Sequence, residues 1–369
     1  MSVSTFVFFV VGLAMLLVGA DLLVRGSSKL AALARISPLV IGLTVVSAGT
    51  SAPEVAISVN ASLTDRPDLA LGNIVGSNIV NVLLVLGLSA IVAPLIVQAR
   101  LIRFDVPVMV ALSVAVLILS MDGVLSRAEC FSLLVILVIY IFILVVGSRR
   151  EASALAAAEP LVENDLMPRS RRDITLSSVF VVSGLGALVI GSRWLIESAT
   201  TTAEYLGVSE LVIGLTVVAA GTSLPEVATS VIAAFKGERD LAVGNVIGSC
   251  IFNLLLVLGL SGIVTASGMP VAAAVRTFDL PVMTAVAIAC LPIFFTGRLI
   301  ARWEGFVFLG YYVAYMAYVV LNATDHDALT SYTTGMIFFV IPITILTMMV
   351  LLIQSIRAGE RFPGRSSFR

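Results

Sequence analysis

Apolar runs of about 20 residues, separated by short polar breaks, recur from one end of the chain to the other. A helix of that length crosses the ~30 Å of a bilayer's hydrocarbon. The pattern therefore predicts about eleven membrane-spanning helices, centred on residues 5–24, 38–62, 69–94, 104–120, 128–147, 174–195, 209–235, 241–265, 278–296, 302–321 and 335–356. The ten-residue alternation of a membrane barrel is missing from these runs, so the fold class is an all-α polytopic membrane protein. A longer polar stretch at residues 148–173 divides the chain. The expected organisation is an N-terminal five-helix unit over 1–147, a linker over 148–173, a second five-helix unit over 174–321, an additional transmembrane helix over 335–356 and a tail over 357–369.

Composition agrees with this pattern. Hydrophobic residues make up 59% of the 369 positions and charged residues 12%, about half the charged share of an ordinary soluble domain. The first span lacks a positive leader and reaches Asp21 and Arg25 before any small-residue cleavage pattern, so it is expected to remain in the mature protein. Cys130, Cys250 and Cys290 fall inside apolar runs without paired or metal-ligand spacing and read as packing residues.

The distribution of basic residues orients the helices. With the N-terminus outside, the cytoplasmic loops collect Arg25, Lys29 and Arg35, then Arg100 and Arg103, the linker arginines, Lys236 and Arg239, Arg298 and Arg302, and the tail arginines 357, 361, 365 and 369. The outside loops keep only Arg66, Arg127, Arg193 and Arg276. This is the positive-inside bias, and it puts the C-terminal tail in the cytoplasm. The acidic linker residues Glu151, Glu159, Glu163 and Asp165 have no EF-hand spacing, so a solvated connection is expected there. The same bland reading fits Asp325-His326-Asp327.

The two halves repeat each other. The segment Gly42 to Val59 (GLTVVSAGTSAPEVAISV) returns as Gly214 to Val231 (GLTVVAAGTSLPEVATSV). The segment Asp68 to Asn81 (DLALGNIVGSNIVN) returns as Asp240 to Asn253 (DLAVGNVIGSCIFN), and Phe104-Asp105-Val106-Pro107 returns as Phe278-Asp279-Leu280-Pro281. An odd number of spans per half makes the copies enter the bilayer from opposite sides. That is an inverted repeat, the architecture of transporters that hold substrate at the midplane where the repeats meet.

Within the repeats, Glu54 and Glu226 lie deep in apolar runs that carry no lysine or arginine. An ionisable group there costs at least a few kcal/mol and faces a partner or a cavity, so the compensating charge is expected to be a mobile cation or proton. Pro53 and Pro225 have no amide to offer the carbonyls of Gly49 and Gly221. Thr50 and Ser51, with Thr222 and Ser223, stand within about one turn of the glutamates. On the following helices Asn73, Ser77 and Asn81 form a polar stripe at i, i+4 and i+8, matched by Asn245, Ser249 and Asn253. Gly72, Gly76, Gly244 and Gly248 permit close helix approach. Carboxylate, hydroxyl, amide and carbonyl oxygens are hard ligands that suit Ca²⁺ and Na⁺ and not softer metals. Two carboxylates also balance one Ca²⁺. Asp68, Asp240, Asp105 and Asp279 stand near helix starts or prolines and read as N-caps.

The ordered double set of Gly-Thr-Ser-x-Pro-Glu and Gly-Asn-x-x-Gly-Ser-x-x-x-Asn around a polar loop resembles the calcium/cation antiporter superfamily, especially bacterial sodium/calcium exchangers. The resemblance spans residues 1–321 and implies ten helices in two inverted five-helix repeats, with Ca²⁺ and Na⁺ as transported ions and no cofactor. It implies that Glu54 and Glu226 are the principal Ca²⁺ ligands, helped by backbone oxygens near Thr50 and Thr222. Ser51, Ser77, Ser223 and Ser249, with the carbonyls of Ser47 and Ala219, would line flanking Na⁺ positions, and Asn81 and Asn253 would complete the set. Several relatives, potassium-dependent ones included, carry aspartate where this chain has Asn253, which argues against K⁺ cotransport. Cys250 replaces the asparagine found at Asn78 and is expected to face away from the site. No nucleic-acid or obligate protein partner is expected. The alternatives are H⁺/Ca²⁺ exchange on the same pair, a cation channel, and an intramembrane hydrolase using the two acids.

Overall fold

The computed structural model of the chain describes residues 3–34, 36–158, 171–208, 210–213, 216–217, 219–295 and 297–357. Glu159, Glu163, Asp165 and Arg169 of the linker, the tail beyond Arg357, and Arg35, Gly214, Leu215 and Val218 of the expectations above lie outside them. The first four helical segments are α1 (Ser4–Ala34), α2 (Pro38–Thr50), α3 (Ala52–Leu63) and α4 (Pro67–Val92). After them come α5 (Leu101–Asp122), α6 (Arg127–Ser148), α7 (Arg172–Tyr205) and α8 (Leu224–Phe235). The last four are α9 (Arg239–Val264), α10 (Val275–Phe295), α11 (Arg302–Ala323) and α12 (Leu329–Thr347). Among the described residues nine helices are long and apolar enough to cross a bilayer, and α2 and α3, bent by 45°, together make a tenth. Short helical pieces at Glu210–Ile213 and Ala219–Gly221 lead into α8. The helix that carries α6 runs on to Ala158, well past the apolar stretch that starts it.

α4 and α9 are the centre of the bundle: 78% and 83% of their apolar windows are buried, against 28–39% for α1, α5, α6, α7 and α10. The motifs richest in glycine, serine and asparagine therefore occupy the interior, because only small or mutually bonded side chains allow helices to close up where lipid cannot reach. A Cβ on Gly244 would meet Leu39 O at 2.8 Å, and one on Gly248 would meet Leu43 Cα at 2.8 Å, so α9 presses against α2 backbone to backbone. Among the described residues, a Cβ on Gly72 or Gly76 meets nothing within 4 Å.

Two miniature strand pairs demonstrate the inversion. β1 (Leu95–Ile96), between α4 and α5, pairs antiparallel with β4 (Leu299–Ile300), between α10 and α11. β2 (Val124–Leu125), between α5 and α6, pairs with β3 (Met269–Pro270), between α9 and α10. β1 and β2 are separated by one crossing, so they mark opposite faces. Each pairs with the loop that is not its sequence counterpart, so corresponding loops of the two repeats lie on opposite faces. Gln98 Nε2 donates to Asp240 Oδ2 at 2.6 Å on the β1–β4 face. On the β2–β3 face Arg127 Nε donates to Thr265 O at 2.9 Å and Arg276 donates to Met121 O at 3.1 Å.

α1 and α7 run antiparallel in close contact. A Cβ on Gly12, Gly19 or Gly26 would fall 2.8–2.9 Å from the carbonyl oxygen of Gly191, Gly184 or Ser177, and one on Gly184 or Gly191 meets α1 at 2.7 Å. Small residues at a seven-residue interval bring the two backbones together along the pair. At one end Lys29 Nζ lies 2.9 Å from Asp173 Oδ1, and Asp21 accepts from both Arg25 and Lys236.

Prolines widen helices here without starting them. Before Pro107 and Pro281 the backbone takes a π-type turn, at Leu101–Asp105 and Val275–Asp279, with the amides of Val106 and Leu280 bonded five residues back to Leu101 O and Val275 O. The wider turn accommodates a ring that would otherwise clash with the carbonyl four residues earlier. Asp105 therefore sits inside a continuous helix with helical backbone and makes no side-chain cap bond, which corrects the N-cap expectation. Its Oδ1 accepts from Tyr140 OH at 3.1 Å, and Asp279 Oδ1 accepts from Tyr315 OH at 3.0 Å. Asp68 and Asp240 lie in first helical turns whose N-caps are Arg66 and Glu238.

Candidate cation site

The site begins with two interrupted helices. Ser51 (φ −78°, ψ 5°) and Ser223 (φ −86°, ψ 8°) leave helical geometry, and new helices start at Ala52 and Leu224 with Pro53 and Pro225 in the second position. The prolines are thus in the first turn of a re-started helix, where their missing N–H costs little, and not in mid-helix. The break sets Glu54 and Glu226 in the first turns of α3 and α8, where backbone amides favour negative charge.

The two repeats exchange side chains across this break. Ser51 Oγ donates to Glu226 Oε1 at 3.3 Å, and Ser223 Oγ lies 3.5 Å from Glu54 Oε1. Behind them, Thr50 Oγ1 donates to Asn245 Oδ1 at 3.2 Å while Asn245 Nδ2 donates to Ser230 Oγ at 2.9 Å. The mirror set is Thr222 to Asn73 Oδ1 at 3.4 Å and Asn73 Nδ2 to Ser58 Oγ at 2.9 Å. Ser58 and Ser230 were not singled out from the sequence, although both stand at matching positions of the repeat. Asn73 and Asn245 hold the threonine of the opposite repeat, so the site is fixed by both halves together.

All ten predicted site residues, Thr50, Ser51, Glu54, Ser77, Asn81, Thr222, Ser223, Glu226, Ser249 and Asn253, are buried, with exposure of 4% or less. Among the described residues Glu54 Oε2, Glu226 Oε2, Ser77 Oγ, Ser249 Oγ, both amide atoms of Asn81 and Asn253 Oδ1 have no hydrogen-bond partner. Buried polar atoms left without partners cost a few kcal/mol each. Unpaired buried hydroxyls occur elsewhere, at Ser27, Ser28, Ser62, Ser177, Thr200, Thr229 and Ser261, but here they belong to a set with two carboxylates. The ion pairs of the described residues do not include either glutamate, and no third Asp, Glu, His or Cys joins the pair in a metal-holding group. The unpaired atoms are oxygens but for one amide nitrogen, the donor set of a hard cation.

The repeats are not identical at this level. Asn253 Nδ2 donates to Asn78 Oδ1 at 3.1 Å across the interface. The counterpart of Asn78 is Cys250, whose thiol lies 3.9 Å from Asn78 O, and Asn81 is left without an amide to pair with. Cys250 thus lies at the contact between repeats.

Buried carboxylates without basic partners, placed at two helix breaks where inverted repeats meet, define a secondary transporter of cations. The sodium/calcium exchanger protein family matches residues 4–146 and 176–321. The chain belongs to the sodium/calcium exchanger family, whose members are transporters and not enzymes. It is 39% identical over 315 residues to the putative antiporter CaxA of Alkalimonas amylolytica, covering 84% of this chain and 96% of that one. It is 39% identical over 287 residues to the inner membrane protein YrbG of Escherichia coli, covering 76% and 86%. With the sodium/calcium exchanger MaX1 of Methanosarcina acetivorans it shares 33% identity over 341 residues, covering 84% and 97%. Its fold superposes on the sodium-calcium exchanger NCX_Mj, soaked with zero Na⁺ and Ca²⁺, with a TM-score of 0.74 at 30% identity, covering 86% of this chain and 99% of that one. The protein is accordingly a multi-pass membrane cation antiporter.

Proposed function

We propose that the protein exchanges Na⁺ for Ca²⁺ by alternating access, without K⁺, and that its physiological direction is Ca²⁺ efflux. The observation that supports this best is the set of buried, unpaired oxygens around Glu54 and Glu226. Ca²⁺ takes both carboxylates, with the oxygens of Thr50 and Thr222 beside them. Na⁺ takes the positions flanked by Ser51, Ser77, Ser223 and Ser249, with Asn81 and Asn253 completing the set. Either load cancels the negative charge. An empty, doubly charged site faces a steep barrier to crossing the bilayer interior, so α1 and α7 slide against the bundle only when the pair is neutralised, and leak is suppressed. The N-terminus is outside and the tail in the cytoplasm of a bacterial inner membrane, as the basic loops demand.

The test is ⁴⁵Ca²⁺ uptake into proteoliposomes loaded with Na⁺ and diluted into Na⁺-free medium. Exchange is expected to vanish in Glu54→Gln and Glu226→Gln while both variants remain monodisperse in detergent. Full exchange in either variant overturns the ligand assignment. Uptake driven by a pH gradient with no Na⁺ present identifies protons as the counter-ion and replaces the Na⁺ reading.

A further inference from the structure

The four arginines that break the positive-inside bias do not behave alike. Arg127 and Arg276 are tied to backbone carbonyls and staple the β2–β3 face. The side chains of Arg66 and Arg193 have no hydrogen-bond or ion-pair partner among the described residues, yet they line one cavity of about 330 Å³. Its other walls include Ile57, Asn60, Ala61 and Leu69, so two exposed guanidinium groups stand over an apolar groove. Arg193 stands about 30 Å along α7 from Arg172, one hydrocarbon thickness away. The groove therefore opens at a membrane–water boundary.

The repeat register sharpens the contrast. Asp21 corresponds to Arg193 and Lys236 to Thr64. On one face the junction between α1 and the end of α8 is closed by the Asp21–Lys236 ion pair. On the other face the equivalent junction, between α7 and the end of α3, has a cation where the acid would be, a threonine where the lysine would be, and the cavity between them. No acidic residue lines it. Two positive charges with no acid in the cavity wall, above Ile57 and Leu69, match a net-negative phosphate group attached to acyl chains. Guanidinium planes bind phosphate bidentately, and basic pockets between transmembrane helices recognise lipid headgroups.

We propose that this cavity binds one anionic phospholipid, its phosphate between Arg66 and Arg193 and its acyl chain along Ile57 and Leu69. The lipid supplies on this face the bridge that Asp21 and Lys236 make on the other, and so ties α7 to the α3–α4 turn.

The test uses the full-length protein in phosphatidylcholine nanodiscs containing a minority of phosphatidylglycerol, with retained lipid counted by native mass spectrometry and affinity read from a phosphatidylglycerol titration. The expected result is one retained phosphatidylglycerol on the wild type. Affinity falls about 30-fold in Arg66→Gln/Arg193→Gln and about fivefold in either single variant. Arg103→Gln, an exposed arginine outside the cavity, leaves it unchanged. Both cavity arginines are exposed and unpaired, so the variants keep their fold, checked by an unaltered thermal midpoint in lipid-free detergent. Equal retention in the double variant overturns the proposal. So does displacement of the lipid by millimolar inorganic phosphate, which would make this a free-anion site.

Discussion

Ser51, in the break between α2 and α3, donates to Glu226 of the opposite repeat at 3.3 Å, so each half of the protein helps to position the acid of the other. The reciprocal contact is Ser223 with Glu54. Alanine at Ser51 or Ser223 removes a hydrogen bond to a charged group, worth roughly 1.5–3 kcal/mol, and also a proposed Na⁺ oxygen. Half-saturating Ca²⁺ in proteoliposome flux should rise about tenfold or more in either variant. In lipid-free detergent, where no transport is needed for the readout, Ser51→Ala combined with Glu226→Gln should lower the thermal midpoint no further than Glu226→Gln alone, because the bond is already altered. Additive losses would show that the serine acts independently of that carboxylate.

The glycine contact between α1 and α7 contains its own control. A Cβ at Gly184 meets Leu23 N at 2.7 Å, whereas one at Gly186, on the same helix, meets nothing within 4 Å. Gly184→Ala must force two backbones apart, a change that costs about 1–3 kcal/mol, and should lower the thermal midpoint in detergent. Gly186→Ala should leave it unchanged or raise it slightly, since alanine is the better helix former.

Tyr140 and Tyr315 each donate to a buried or half-buried aspartate and stack on Phe104 and Phe278. Tyr140→Phe keeps the stacking and takes one donor from Asp105, which is 0% exposed. The expected loss is about 1–3 kcal/mol. Tyr140→Phe with Asp105→Asn should recover part of it, since a neutral amide needs less from its surroundings. A thermal-shift comparison of the two variants measures this, and an unchanged midpoint in Tyr140→Phe alone would show that the contact carries no stability.

The spans, the inversion and the acid pair could all be read from the chain because each rests on a strong one-dimensional signal: apolar length, an exact-register repeat, and a glutamate where lipid-soluble sequence forbids one. What could not be read depends on which residues face which across the repeats. Asp105 looked like a cap because Pro107 follows it, but a π turn absorbs the proline and hands the aspartate to Tyr140, more than thirty positions away in sequence. Ser58 and Ser230 carry no signal in the chain beyond their matching positions in the repeat; only the fold shows that they hold Asn73 and Asn245. Cys250 is expected from the chain to face away from the site, and only the fold shows that it lies at the contact between repeats, as its counterpart Asn78 does against Asn253.

That substitution separates two residues the repeat makes equivalent. Asn253 spends its amide on Asn78, whereas neither amide atom of Asn81 has a partner among the described residues. Alanine at Asn78 should strand a buried donor on Asn253 and leave Met283 Sδ without the amide 3.5 Å from it, a loss of about 1–3 kcal/mol in stability. Alanine at Asn81 has no protein hydrogen bond to break, so its thermal midpoint should stay near the wild-type value. Transport should show the reverse order. Asn81→Ala removes an oxygen proposed to face the ions and should raise half-saturating Na⁺ or Ca²⁺ in flux measurements severalfold. Asn78→Ala lies one bond further back and should change those values less. A stability loss at Asn81 equal to that at Asn78, with ion dependence untouched, would mark Asn81 as a packing residue and reduce the proposed ligand set by one.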